Sequence, residues 1–266
     1  YMPSFYTHYH FGRDFIKIAP ERIKRIINLD KELFLFGNQG PDLFFFNIKN
    51  AIKGKNPGTD IHNTKFSDVL TTIKKNFKPE DLETKTGSYF LGLVLHFLLD
   101  CSLHPTVESL KREDYGHLNI ESELDRYYLN LDGESEFKFK QSVLIPDKSA
   151  AKYIFPIYKD FDKVDYKNVE TSISNMAFVK NFFHNDSLLK EKFILGVLTL
   201  INQKYNFGGQ LITRKPFPYA ENSNKILSEM YGDTLKIAPE FLDKTLEYMF
   251  ENGKELEIYR KDFNGV

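Results

Sequence analysis

The chain has 266 residues, with 36 basic and 37 acidic side chains and a formal net charge of −1. That balance gives no electrostatic case for nucleic acid or for a broad anionic membrane surface as partner. Its one cysteine, Cys101, excludes an intramolecular disulfide and a cysteine-based zinc ribbon.

The beginning of the chain, YMPSFYTHYHFGRD, carries no basic and apolar leader pattern. Met2 reads as the natural start, and the expected setting is a soluble, cytoplasmic protein. With 25 Phe and 15 Tyr, residues 1–266 can build the core of one large domain. Pro20 suits the first turn of a helix that Gly37 would stop, with Ile23, Ile26 and Ile27 at helical spacing. GNQGPDLFFF (37–46) is a turn that delivers Asp42 just before three phenylalanines, which read as core. KGKNPGTDIHN (53–63) is a loop by composition and contains His62. A helix is expected over 68–77.

Residues 81–104 give the clearest helix, opened by Asp81 and Glu83 and halted by Pro105. A further helix is expected over 116–131. FKFKQSVLI (137–145) is the only strand candidate, because it alternates briefly. Helices follow at 166–183, 186–204, 221–231 and 238–256, with an irregular connection over 205–222. The longest apolar run is about half of the ~20 residues a membrane span needs, and no amphipathic membrane anchor is evident. An all-α single-domain bundle is the expected fold.

The chemistry concentrates in HFLLDCSLHP (96–105). His96, Asp100 and His104 recur every four residues, so a helix aligns them along one face of an otherwise apolar run. A carboxylate buried there needs compensation. A metal cation would supply it, and imidazole with carboxylate is a donor set suited to zinc. His117 and Glu121 repeat the spacing on the next predicted helix. The competing reading of an isolated histidine in an apolar helix is a hydrogen-bonded core residue, and of Glu121 alone a surface charge. His184 reads as structural or exposed, and Cys101 points away from Asp100 and is given no role.

MPSFYTHYHFG, GNQGPD, the HFLLDCSLHP helix and GHLNIESELDR, in this order, resemble the zinc-dependent phospholipase C family. The likeness is to its short bacterial proteins and to the N-terminal domain of glycosylphosphatidylinositol-specific phospholipase D. It covers residues 2–130, and the terminal RKDFNG is similar to the family's usual ending. The resemblance implies an all-α domain with two or three zinc ions. By the same resemblance, Asp42, His62, His96 and Asp100 would hold one ion. Asp100 would bridge it to a second held also by His8, chosen over His10 for its Thr-His step. His104, His117 and Glu121 would hold the third. Asp42 would be ligand and base, the reaction being phosphodiester hydrolysis of a phospholipid or related phosphoester by a metal-activated water. The step of four from Asp100 to His104 matches the phospholipase D branch rather than the secreted enzymes, and would move the third metal. Also in keeping with the residues are another zinc phosphohydrolase, a single-strand nuclease, and a non-catalytic domain in which zinc is structural. Net charge speaks against the nuclease.

Overall fold

The computed structural model describes residues 4–47, 56–200 and 210–266. Its helices, in chain order, are α1 (Phe5–Ile18), α2 (Glu21–Ile27), α3 (Lys31–Gly37), α4 (Pro57–His62), α5 (Phe66–Lys74) and α6 (Pro79–Leu82). They continue with α7 (Lys85–Leu110), α8 (His117–Leu131), α9 (Ala151–Tyr158), α10 (Tyr166–Phe182), α11 (Leu188–Leu200) and α12 (Ala220–Phe250). A 3₁₀ segment, Gly40–Phe46, follows α3. The described residues contain no strand beyond one isolated bridge between Arg112 and Tyr115. The fold is all-α.

Helix α7 is the axle. Its run from Thr86 to Cys101 is buried all round, as a helix without a polar face must be. Its 26 residues are long and apolar enough to cross a membrane, but 83% of that window is buried inside the protein. Helices α3 and α12 pack along it. Gly37 and Gly92 let α3 and α7 meet backbone to backbone, since a Cβ on either would lie 2.3 Å from a carbonyl oxygen of the other helix.

Several expectations are corrected. The stretch from Pro20 to Gly37 is two helices, because Asp30 turns out of α2 and caps α3 by accepting from Leu33 N at 3.0 Å. Pro105 does not end α7, which runs on to Leu110 and buries Val107. Likewise the two last predicted helices are one, α12. Its buried stripe of Leu227, Tyr231, Thr234, Ala238, Leu242 and Met249 keeps helical phase across Pro239. In both cases packing outweighs the roughly 3 kcal/mol that an interior proline costs. Residues 137–145 form turns and a 3₁₀ segment, with Val143 68% exposed and no partner strand among the described residues. Part of the predicted 53–63 loop is α4, started by Pro57 and capped by Asn56. Helices α1 and α9 were not predicted from the sequence. Residues 201–204 of the predicted 186–204 helix, and 205–209 of the connection, lie outside the described residues.

Candidate metal centre

The 3₁₀ segment, α1, α4, α7 and α8 each deliver part of one cluster. Gly40 adopts φ +50°, and a Cβ there would lie 2.4 Å from His96 Cδ2. Only glycine therefore lets the chain pass the His96 ring and bring Asp42 in beside it. The start of α1 is held by a side chain from α8. Asp125 accepts from Ser4 Oγ (2.5 Å), Phe5 N (3.0 Å), Thr7 N (2.7 Å) and Thr7 Oγ1 (2.9 Å). It acts as a helix N-cap supplied by another helix and sets the rotation of α1 that turns His8 inward.

All eight candidate ligands meet. His8 Nε2 lies 2.9 Å from Asp100 Oδ1, and His96 Nε2 3.1 Å from Asp100 Oδ2. His62 Nε2 is 2.8 Å from Asp42 Oδ1 and 3.8 Å from Asp100 Oδ2, while His96 Nε2 is 3.7 Å from Asp42 Oδ2. On the other side of Asp100, His104 Nε2 stands 3.5 Å from its Oδ1 and 3.4 Å from Glu121 Oε1. His117 Nε2 is 3.3 Å from Glu121 Oε1. His8, Asp42, His96 and Asp100 can all reach one ion, and His104, His117 and Glu121 another. His10 faces the other way, with Nδ1 2.7 Å from the Tyr231 hydroxyl and 3.2 Å from Asp14.

The histidines are aimed from behind. His62 Nδ1 donates to Gly58 O (2.7 Å), His96 Nδ1 to Asn38 O (3.0 Å) and His104 Nδ1 to Phe263 O (3.0 Å). A carbonyl can only accept, so these nitrogens carry hydrogen and each Nε2 is left to face the cluster. His117 Nδ1 pairs with Glu108 at 2.6 Å, the carboxylate–histidine arrangement that orients metal-binding imidazoles.

What faces the cluster is not otherwise satisfied. Apart from the imidazole–carboxylate contacts given above, both Asp42 carboxylate oxygens, Asp100 Oδ2, Glu121 Oε2, His96 Nε2 and His104 Nε2 are buried without a hydrogen-bond partner. Orphaned buried acceptors at this density need a cation. With no metal, protons do that work. Burial pulls the His104 imidazole down, but the carboxylates of Asp100 and Glu121 carry it up to about 10. Burial likewise opposes ionisation of Glu121, yet His117 and His104 bring it down to about 2. Asp100 is held well below the usual carboxylate range, because His104, His96 and His8 together outweigh its burial. Metal ions bind such groups by displacing these protons, so the residues fit the zinc that the resemblance implies.

The cluster is not sealed. An opening to solvent reaches Asp42, His62, His104, His117 and Glu121 and is lined also by Phe45, Asn63 and Asn264. Phe44 and Phe46 are core, as expected, but Phe45 lines this opening. Glu121 is 5% exposed, not a surface charge.

A family model described as zinc-dependent phospholipase C matches residues 7–188, a span that holds every candidate ligand. The chain belongs to the zinc-dependent phospholipase C family. Comparison with curated proteins and with solved structures gave no match. Family membership and the two ligand clusters make the chain a metal-dependent, phospholipase-like hydrolase.

The sequence reading missed three contributors. Asp125 has no spacing signal, because its partners lie about 120 residues away. Phe263 acts through its backbone carbonyl and through a ring packed against His62 and His96, contacts that no spacing reveals. Lys180 on α10 is half-buried with its Nζ 5.0 Å from the centre of the Phe5 ring. Burial depresses its ammonium, against the carboxylates of Asp125, Glu121 and Asp42, so it sits in the field of the acidic cluster.

Proposed function

We propose that the chain hydrolyses the phosphodiester of a phospholipid. In this reading Asp42, His62, His96 and Asp100 hold one zinc ion, Asp100 and His8 a second, and His104, His117 and Glu121 a third. The supporting observation is the conjunction of orphaned ligand atoms with an open cavity. A structural zinc site is closed by four protein ligands, whereas a catalytic one keeps room for water and substrate. Zinc bound there would polarise a phosphoryl oxygen and acidify water toward a pKa of ~7.

The chain's own residues do the rest. Asp42 is fully buried, with His62 Nε2 2.8 Å from its Oδ1, and its carboxylate can accept the proton that an attacking water loses. The Nδ1–H bonds to Gly58, Asn38 and Phe263 fix the imidazoles and keep their Nε2 atoms from swinging away. Phe45 gives the opening an apolar side beside the polar Asn63 and Asn264, a fit for an ester with a greasy and a charged half. Water adds to phosphorus as the bond to the leaving alcohol breaks.

The test is metal analysis of protein purified without chelators, followed by turnover of a soluble short-chain phosphatidylcholine. Two or three zinc ions per chain and release of diacylglycerol with a phosphorylated headgroup are expected. One zinc or none, with no turnover, refutes the reading. Faster cleavage of single-stranded DNA would replace the substrate class.

A further inference from the structure

Helices α10 and α11 present a second surface that the metal centre does not use. On α11, Leu189, Phe193, Val197 and Leu200 are 82%, 66%, 39% and 87% exposed. At about 100° per residue they fall within a sector of roughly 80°. Lys192 borders that sector on one side and Lys190 on the other. The opposite stripe, Glu191, Ile194 and Leu198, is buried. The helix is thus apolar on two faces, which is why its sequence shows no amphipathic anchor.

The surface extends onto α10. There Phe178 and Phe182 are 65% and 44% exposed and stack on each other with centroids 6.3 Å apart. Phe182 meets Phe183 edge-on at 5.2 Å, and Phe183 packs with Ile194 and Leu198 beneath α11. Single exposed apolar residues are ordinary, but a set of this size, gathered on one sector of α11 and on the end of α10 that Phe183 joins to it, marks an interaction surface.

Charge identifies what covers it. The only acid on α11, Glu191, is buried and turned to Asn185 and the backbone of Arg214. The outward side of α11 itself therefore carries apolar groups, Lys190, Lys192 and Thr199; the exposed Asp186 just ahead of the helix lies 4.0 Å from Lys190 Nζ, so Lys192 is the exposed positive group of a face that suits the boundary of an anionic bilayer. Pairing with a second copy would oppose Lys190 and Lys192 of two chains across a two-fold axis. The overall charge of −1 does not bear on so local a patch. Helix α10 is bonded on its inner side to the segment that carries Asp42, through Asn175 Nδ2 to Phe46 O at 2.9 Å and Asn47 to Asn168 at 2.9 Å. Helix α11 begins where the family match ends, at residue 188.

We propose that this face docks on an anionic phospholipid surface. Phe178, Phe182, Leu189, Phe193 and Leu200 enter the acyl boundary, and Lys190 and Lys192 meet the headgroups. The purpose of the docking rests on the phospholipid reading above, but the docking itself is measured without turnover.

The experiment is flotation of the full zinc-loaded chain with vesicles of phosphatidylcholine alone and of equal parts phosphatidylcholine and phosphatidylserine. The protein is expected to float with the mixed vesicles. Phe193→Ser with Leu200→Ser should weaken this by roughly tenfold per residue, and each of Lys190→Gln and Lys192→Gln by about fivefold. Phe193, Leu200 and Lys192 face solvent, so in their variants thermal melting and hydrolysis of a soluble short-chain substrate should stay unchanged, whereas Lys190 is half-buried beside Asp186. A protein that floats but hydrolyses nothing supports the surface and refutes the enzyme reading. One that hydrolyses the soluble ester but does not float overturns the surface alone. Flotation undiminished in the Phe193/Leu200 variant also overturns it. So does a dimer, abolished by that variant, in a protein that ignores vesicles.

Discussion

Asp100 touches both halves of the cluster, so Asp100→Asn is the sharpest perturbation of it. The side chain is 2% exposed, with His8, His96 and His104 nitrogens at 2.9, 3.1 and 3.5 Å. Asparagine keeps the volume and removes the charge. Two of the proposed zinc ions share Asp100, whereas His104, His117 and Glu121 remain a complete group without it. A ligand present at a hundredfold excess over its Kd adds about 2.7 kcal/mol to stability. Losing two such ions therefore removes about 5 kcal/mol. In a chain of this size each kcal/mol moves Tm by about 2–4 °C. Chelation should thus lower the wild-type Tm by at least 10–20 °C as an order of magnitude, and the variant's by far less. The assay is calorimetry of both proteins before and after chelation, with zinc counted in each. The variant should keep no more than one ion and lose activity. Unchanged zinc content and an equal chelation shift in the variant would refute the shared role of Asp100.

Three further outcomes are expected. Asp125→Ala removes four hydrogen bonds from the start of α1. At about 1 kcal/mol each, urea denaturation should show a loss of about 4 kcal/mol; a loss under 1 kcal/mol would mean that α1 does not depend on this cap. Gly40→Ala drives a methyl group into the His96 ring at 2.4 Å and strains a positive φ, so it should lower zinc content while leaving helical circular dichroism nearly intact; full zinc occupancy would contradict the close approach. The chelated protein should be acid-sensitive. Glu121 has a folded value near 2 against an ordinary 4.5, so its contribution is present above pH 4.5 and disappears as pH falls toward 2. His104, raised to about 10 from 6.5, contributes fully below pH 6.5 and loses that contribution as pH rises through about 10. A urea midpoint that stays flat across both windows would dispose of the buried ion-pair network.

Periodicity made the helical half of the site legible. His96, Asp100, His104, His117 and Glu121 lie on α7 and α8 at steps of four, and such spacing survives into structure because the helix is rigid. Asp42 and His62 were reachable only through resemblance, since a 3₁₀ segment and the last residue of α4 carry no period. The same limit explains the misread prolines. A propensity rule sees the lost hydrogen bond at Pro105 and Pro239, but not the buried stripe that holds the helix in phase beyond it.

The end of the chain shows how far such distant closure reaches into the site. Pro105 has no N–H to offer the Cys101 carbonyl one turn back along α7. A Cβ on Gly265 would stand 2.6 Å from that carbonyl oxygen and 2.6 Å from the Pro105 ring, so the terminal turn is seated on the very place the proline leaves open. Gly265 meets this contact at φ +78°, a conformation that glycine adopts without cost. Seating the turn there brings Phe263 O to His104 Nδ1 at 3.0 Å and Phe263 N to His62 O at 3.2 Å. One residue thus steadies two candidate ligands that lie on different helices. The DFNG ending is therefore read most directly as part of the candidate metal centre. Its sequence is constrained by the need for a carbonyl and an aromatic ring at 263, the ring packing against His62 and His96 with centroids 5.0 and 5.7 Å away, and for a glycine at 265.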